Sequence, residues 1–407
     1  MFLAIENFFS PMKLLVFAPY FPPDPTGSSL FAYQQSIDLK NKGHQILTIT
    51  NERDKAAPAW ATDPDQNLGT HDIDVIRLSC KRVSLGRLSW NYRLPVSVPG
   101  LFRRSVRHKL LEHNPDGVII HSTLFDLSLF ALLWSAIHKR RNILVCHTAL
   151  WHDLVLVRWC MYLFGFFILR PLCVIAKTRI VCVDKFTFEN AQKVLGKKRN
   201  TVIVPISVDI STLTGGDADF VSEKYRIQGT PIILSLGHVI PLRDRVNLIR
   251  SLPILIKGFP DIKIIIVGMV KDDTAFKLAQ ELGVASHIIS TGAVSHKEIF
   301  DFLALAHIEM HDLNGLGLGI TSLEAMASKT PIIAWIDPEN YPALDRDAFP
   351  KTGFINSGDP KTISEMVIRI VEDDVFAQEV VCSQEAILKK VFSLDAIDSQ
   401  YIALLTS

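Results

Sequence analysis

From Met12 the chain alternates short, nearly continuous apolar runs with longer stretches in which apolar positions recur at helical spacing. LLVFAP after Lys13, a helical stretch from about Leu30 to Lys42, and HQILTIT after Gly43 form a first β-α-β pattern. DVIRL (74–78), DGVIIHS (116–122), NILVCH (142–147) and RIVCVD (179–184) predict further strands, each next to a segment of helical period. Runs this apolar suit strands covered on both faces, hence a parallel sheet between helices. Around 206–230, which contains TLTGGDAD, the periodicity lapses and turn formers gather. The pattern restarts with PIILSLG (231–237), KIIIVG (263–268), HIISTG (287–292), AHIEMH (306–311) and TPIIAW (330–335). Helices are expected near 245–257, 273–282, 295–305 and 320–328. The reading is an α/β fold of two Rossmann-like, doubly wound lobes facing across a cleft: an extension at 1–11, a first lobe at 12–205, a linker at 206–230, a second lobe at 231–385 and a C-terminal helical segment at 386–407. Ligands bind outside the strand carboxyl ends of such sheets.

The 407 residues exceed what one core of about 250–300 residues usually holds, which supports two lobes. With 43 basic and 42 acidic residues the net charge is +1, so no global field favours nucleic acid and no nucleic-acid partner is expected. Six cysteines stand without a C-x-x-C pair, which argues against a disulfide scaffold or a zinc ribbon. MFLAIENFFSP lacks the basic lead of a secretory signal, and a cytoplasmic location is expected. DID at 72–74 precedes a strand and DAD at 217–219 lies in the expected linker, so both read as loop carboxylates; no metal site is expected. GLGLG lacks the spacing of a dinucleotide fingerprint and falls late in the chain, which disfavours nicotinamide chemistry.

Candidate chemistry gathers in four places. In HDLNGLGLGITSLEAMASKTPIIAW (311–335) a short strand runs into Gly315, Gly317 and Gly319, and a helix begins near Ile320. Unused N–H groups and the positive helix end suit a diphosphate there. Glu324, one turn inside that helix and otherwise surrounded by apolar residues, is placed to accept two ribose hydroxyls. In LSLGHVIPLRDRVNLI (234–249) a strand ends at Gly237, followed by His238 and Arg243, with guanidinium well matched to phosphoryl oxygens. Gly27, Ser28 and Ser29 lie on the turn after the first strand, with serine as the expected helix N-cap. His147 ends a strand on its carboxyl side, as His121 does in GVIIHS.

These residues together resemble the family-4 glycosyltransferases of GT-B fold, over nearly the whole chain from Met12. Their second-lobe motif pairs two glutamates eight positions apart around a Gly-x-Gly loop and ends in L-E-A-M-A. Glu324 matches the second acid, but Leu316 stands at the first, where the family's acid helps position the donor sugar. Leucine offers neither carboxylate nor hydrogen bond; Asp312 or Asn314 is the candidate substitute. The family's G-R-x-x-x-x-K-G stretch puts His238 at the arginine and Arg243 at the lysine that neutralise the leaving nucleoside diphosphate.

The resemblance implies a metal-independent hexosyltransferase that needs no cofactor beyond its nucleotide-sugar donor and retains the anomeric configuration. Arg243, His147 and Glu324 are its catalytic residues; His238, Arg243, Gly317, Gly319, Ile320, Glu324 and Asp312 its donor site; Gly27 and Ser28 its acceptor or phosphate loop. The acceptor is expected to be a glycan or lipid-linked. Leu316 motivates an alternative, a catalytically silent nucleotide-sugar-binding or scaffolding subunit of a membrane glycosyltransferase complex.

A last pattern concerns lipid. Leu154–Ile175 reads LVLVRWCMYLFGFFILRPLCVI, and its longest uncharged stretch, Trp159–Leu169, falls short of the ~20 apolar residues of a spanning helix. A core helix or a segment dipping into one leaflet is expected instead. With the basic clusters LFRRSVRHK (101–109) and HKRR (138–141), this suggests peripheral contact of the first lobe with an anionic membrane.

Overall fold

The structure, a computed structural model, describes residues 10–24, 26–53, 73–89, 93–97, 103–197, 200–209, 215–240, 245–310, 312–315, 317–341, 344, 349 and 351–407. The chain divides into two compact units: unit 1 runs to Ser207 and takes up Leu394–Ser407, and unit 2 is Val208–Ser393.

Unit 1 contains β1 (Lys13–Ala18), α1 (Gly27–Asn41), β2 (Gln45–Asn51), β3 (Asp74–Leu78), a hairpin of β4 (Lys81–Ser84) and β5 (Arg93–Val96), α2 (Arg104–His113), β6 (Gly117–His121), α3 (Asp126–Ile137), β7 (Arg141–Cys146), α4 (Val155–Ile175), β8 (Arg179–Cys182), α5 (Lys185–Leu195) and β9 (Thr201–Ile203). Its sheet has the order β3-β2-β1-β6-β7-β8-β9 with every pair parallel. The direction of winding reverses between β1 and β6. A crevice opens at such a switch point, beyond the strand carboxyl ends. The apolar runs become central strands because both faces are covered: Leu14–Ala18 and Gly117–His121 are buried throughout.

Unit 2 contains α6 (Ala218–Tyr225), β10 (Ile232–Leu236), α7 (Val246–Leu255), β11 (Lys263–Val267), α8 (Thr274–Glu281), β12 (Ile288–Gly292), α9 (His296–Leu305), β13 (Ile308–Glu309), α10 (Ile320–Ala327), β14 (Ala334–Trp335), β15 (Phe354–Ile355), α11 (Pro360–Glu372) and α12 (Asp374–Val391). Its main sheet, β12-β11-β10-β13, is parallel, and its switch point lies between β10 and β13. α13 (Leu394–Thr406) then returns to unit 1. It packs on α1, where Gln35 donates to the buried Asp398 at 3.1 Å, and Arg141 donates to the Leu405 carbonyl at 3.0 Å.

Three features differ from the sequence reading. The stretch 206–230 is no free linker: Asp217 caps α6 by accepting from Phe220 N–H, and its own N–H donates to Asp301 at 2.7 Å, tying α6 to α9. The segment 386–407 is not one piece, since its first part completes α12 and the rest belongs to unit 1. α4 is uninterrupted and is buried on one face only. A π turn at Gly165–Leu169 carries the helix through, and Pro171 sits in the opening turn of the segment that follows. Its 21 residues are long and apolar enough to cross a membrane by length and composition, yet only 11% of the most apolar window is buried. Of the loop carboxylates, Asp74 opens β3, Asp217 is a helix cap, and Asp72 lies outside the described residues.

Candidate functional site

In unit 2 the two segments singled out from sequence flank the switch point. β10 ends at Gly237, whose φ of +101° turns the chain away from the sheet. Gly268, after β11, approaches so closely that a Cβ on it would lie 2.4 Å from the Gly237 carbonyl oxygen. Only two glycines permit this approach. Beside them His238 accepts a hydrogen bond from Met269 N–H on Nδ1 at 3.1 Å. With Nδ1 accepting, the ring's proton sits on Nε2. Beneath the turn, Arg245 is fully buried and donates to Ser235 Oγ (2.8 Å) and to the carbonyls of Leu236 (3.1 Å) and Gly237 (3.2 Å). Its role is to brace the end of β10. Arg243 lies outside the described residues.

Opposite, the chain leaves β13 through the glycine loop into α10. The sequence predicts open amides here, but the structure engages three of them internally. Gly315 N–H donates to the Trp335 carbonyl (3.1 Å), Leu318 N–H to Tyr341 Oη (2.7 Å) and Gly319 N–H to Asp312 Oδ2 (2.7 Å). Asp312 is buried, and the same oxygen accepts from Ser322 Oγ at 3.0 Å. It therefore caps α10 from within, where its charge complements the helix dipole. Asp312, with Asn314 one of the two candidates for the carboxylate lacking at position 316, thus has Oδ2 committed within the unit; Leu316 itself lies outside the described residues. Gly317 has φ +107°, a conformation that side chains resist, and Ile320 is the buried first residue of α10.

Glu324 is almost completely buried, and His296 donates to its Oε1 from Nε2 at 2.6 Å. Burial pulls the His296 pKa down, but the hydrogen bond and charge of Glu324 outweigh it and leave the value raised, which favours an imidazolium–carboxylate pair. Sequence reading missed His296. It stands first in α9, inside the capping box of Ser295 and Glu298. A histidine in a first helical turn opposes the dipole, and that mismatch was the available signal.

In unit 1, His121 and His147 end adjacent strands, stack with ring centroids 5.2 Å apart, and share a hydrogen bond of 2.9 Å between His121 Nδ1 and His147 Nε2. Phe31 meets both rings edge-on. Burial lowers the His147 pKa to about 4, and burial followed by the neighbouring His147 lowers that of His121. The pair is neutral at pH 7 and a single proton bridges it. Because Nε2 is committed, His147 has Nδ1 left for a ligand. Gly27 and Ser28 are the first residues of α1 rather than a loop, and the N-cap is Thr26, whose Oγ1 accepts from Ser29 N–H at 3.2 Å, not a serine. Among the described residues, no group of three or more His, Cys, Asp or Glu side chains is arranged to hold a metal ion.

Residues 217–388 match the family described as Glycosyl transferases group 1. A GDP-mannose-dependent monoacylated alpha-(1-6)-phosphatidylinositol monomannoside mannosyltransferase of Corynebacterium glutamicum is 25% identical over 206 residues, which cover 47% of this chain and 52% of that protein. A GDP-mannose-dependent alpha-(1-6)-phosphatidylinositol monomannoside mannosyltransferase of Mycolicibacterium smegmatis is 32% identical over 120 residues, 28% of this chain and 31% of that protein. The chain thus spans about half, or less, of the length of these curated relatives. Among solved structures, Anabaena HepE in complex with UDP and glucose has a TM-score of 0.67 at 15% identity, covering 97% of this chain and 99% of that one. Sucrose-phosphate synthase from Thermosynechococcus elongatus has a TM-score of 0.68 at 15% identity, covering 97% and 98%. The fold is GT-B, and the match to the group 1 glycosyltransferases spans residues 217–388, less than half of the chain.

Proposed function

We propose that the chain is a glycosyltransferase that moves a hexose from a nucleoside-diphosphate donor to an acceptor hydroxyl with retention of configuration, and that unit 2 holds the nucleotide. The observation that carries this reading is Glu324, a buried carboxylate held by His296 in a unit whose sequence matches the group 1 glycosyltransferases. With Oε1 committed to His296, the ribose diol would engage the other carboxylate oxygen. Fixing that oxygen in advance lowers the entropy lost when the nucleotide binds. His238 and Arg243 would stabilise the negative charge that develops on the departing diphosphate, the main electrostatic demand of an oxocarbenium-like transition state. His147 would orient the transferred sugar through Nδ1. Leucine at 316 leaves the sugar without that acid, so this reading assigns more of its positioning to His147 and predicts slow turnover.

The curated relatives make GDP-mannose the first donor to test and a phosphatidylinositol-type lipid the first acceptor, with UDP-glucose as the comparison donor. A thermal-shift series with GDP, UDP and the two nucleotide sugars comes first, since a ligand that binds the folded state raises its Tm. Nucleoside diphosphate release and product formation are then followed, with the anomeric configuration of the product read by NMR. A shift with one nucleotide that vanishes in Glu324→Ala is expected; no shift with any of the four would sink the proposal.

A further inference from the structure

The outward face of α4 is apolar where a water-facing helix would be polar. Leu156, Trp159 and Phe167 are 76%, 60% and 66% exposed, and Val155 and Leu163 stand with them. The inward face is already committed. Leu169 and Cys173 are buried in the core of unit 1, Met161, Tyr162 and Phe164 pack against it, and a Cβ on Gly165 would lie 2.2 Å from Val194 of α5. The tip of the β4–β5 hairpin joins the same surface. Arg87 pairs with Asp153, just before α4, at 3.4 Å, and Leu85 and Leu88 on either side of Arg87 are exposed.

The charges around this surface are mostly basic, with Asp153, paired to Arg87, the acid beside them. From Leu154 to Arg179 the sequence holds Arg158, Arg170, Lys177 and Arg179 and neither Asp nor Glu; from Cys80 to Ser97 it holds Lys81, Arg82, Arg87 and Arg93 and again no acid. Three cations flank the apolar stripe against aromatic rings: Arg158 over Trp151, Arg170 over Phe166 and Lys193 over Tyr162.

We propose that α4 and the hairpin tip form a monotopic docking surface for a bilayer containing anionic lipid, with α4 lying along the interface. Exposed aliphatic and aromatic side chains ringed by arginine fit the boundary between acyl chains and negative headgroups. A spanning orientation would strip the packed inner face from unit 1 and open a void at Gly165. A second copy would set arginine against arginine, whereas an anionic leaflet supplies the opposite charge. This surface is independent of the glycosyl-transfer reading, because none of its residues belongs to the candidate site.

The test is flotation of the full chain with phosphatidylcholine vesicles with and without phosphatidylglycerol, combined with Trp fluorescence. The chain floats with the anionic vesicles, less so at high salt, and its emission shifts to the blue. Leu156→Gln/Phe167→Gln, at two exposed positions, lowers vesicle partition about tenfold or more with an unchanged melting temperature. Arg87→Ser weakens binding to anionic vesicles only. Equal binding by the wild type and the double variant, or no binding to either vesicle, overturns the proposal. Concentration-dependent dimers without vesicle binding would overturn it in favour of a second copy, and resistance to alkaline extraction would overturn it in favour of a spanning helix.

Discussion

Units 1 and 2 each place a histidine beside the carboxyl ends of a parallel sheet, and their surroundings give it opposite character. His147 faces another histidine in a dry setting, so neither ring takes up a second proton and the pair stays neutral. His296 faces a buried carboxylate, and the attraction exceeds the burial penalty. Burial alone therefore does not decide the charge of a histidine; the partner does. A neutral pair with one bridging proton fixes a tautomer, whereas an ion pair fixes a carboxylate.

The sharpest way to break this comparison is to remove the carboxylate. Glu324→Ala leaves the half-buried His296 without its partner and the nucleotide without its anchor; kcat/KM falls about 100-fold, about 3 kcal/mol, in a nucleoside diphosphate release assay. Next comes pH. The depressed pKa values of His121 and His147 mean that the unfolded chain binds more protons in acid, so their contribution is complete above about pH 6.5 and is lost as pH falls toward about 4, by about 3 kcal/mol from His147 alone. The raised value of His296 acts the other way: its contribution is complete below about pH 6.5 and is lost as pH rises through the raised value. Calorimetry across pH checks both signs, with His121→Phe/His147→Phe flattening the acid side and His296→Phe the alkaline side. A smaller effect is expected at Asp312. Asp312→Asn removes a negative charge from the end of α10, lowering stability by about 1 kcal/mol while nucleoside diphosphate affinity, measured by titration calorimetry, rises severalfold. The smallest concerns Tyr401, whose buried hydroxyl has no hydrogen-bond partner. Tyr401→Phe leaves the melting temperature unchanged or slightly higher, within about 0.5 kcal/mol.

Apart from the half-buried edge strand β9, the strands of both main sheets could be read from the sequence, because a doubly covered strand needs a nearly unbroken apolar run, and few other structures do. The β4–β5 hairpin could not, since its basic, half-exposed positions give no such run. The start of α10 at Ile320 was legible from the glycines before it, and the occupancy of the loop amides was not. Their acceptors are set by tertiary packing: Tyr341 Oη comes from 23 positions beyond Leu318. Glu324 was recognisable as a polar residue in an apolar helix, but its partner His296 lies 28 positions earlier on another helix. The linker was misread because a short capped helix needs only Asp217 and Phe220 in the right places, too little pattern to register as periodicity.

The return of α13 to unit 1 has a consequence for synthesis. Unit 2 is inserted in unit 1, and its two ends meet where Val208 bridges Ser393. A ribosome makes the inserted unit completely before it releases the helix that covers Gln35 and Gly117, so the unit begun first is finished last. Until then its nascent sheet keeps an unsealed flank that invites chaperones, and a stop codon shortly before Leu394 would leave unit 2 whole and unit 1 permanently open.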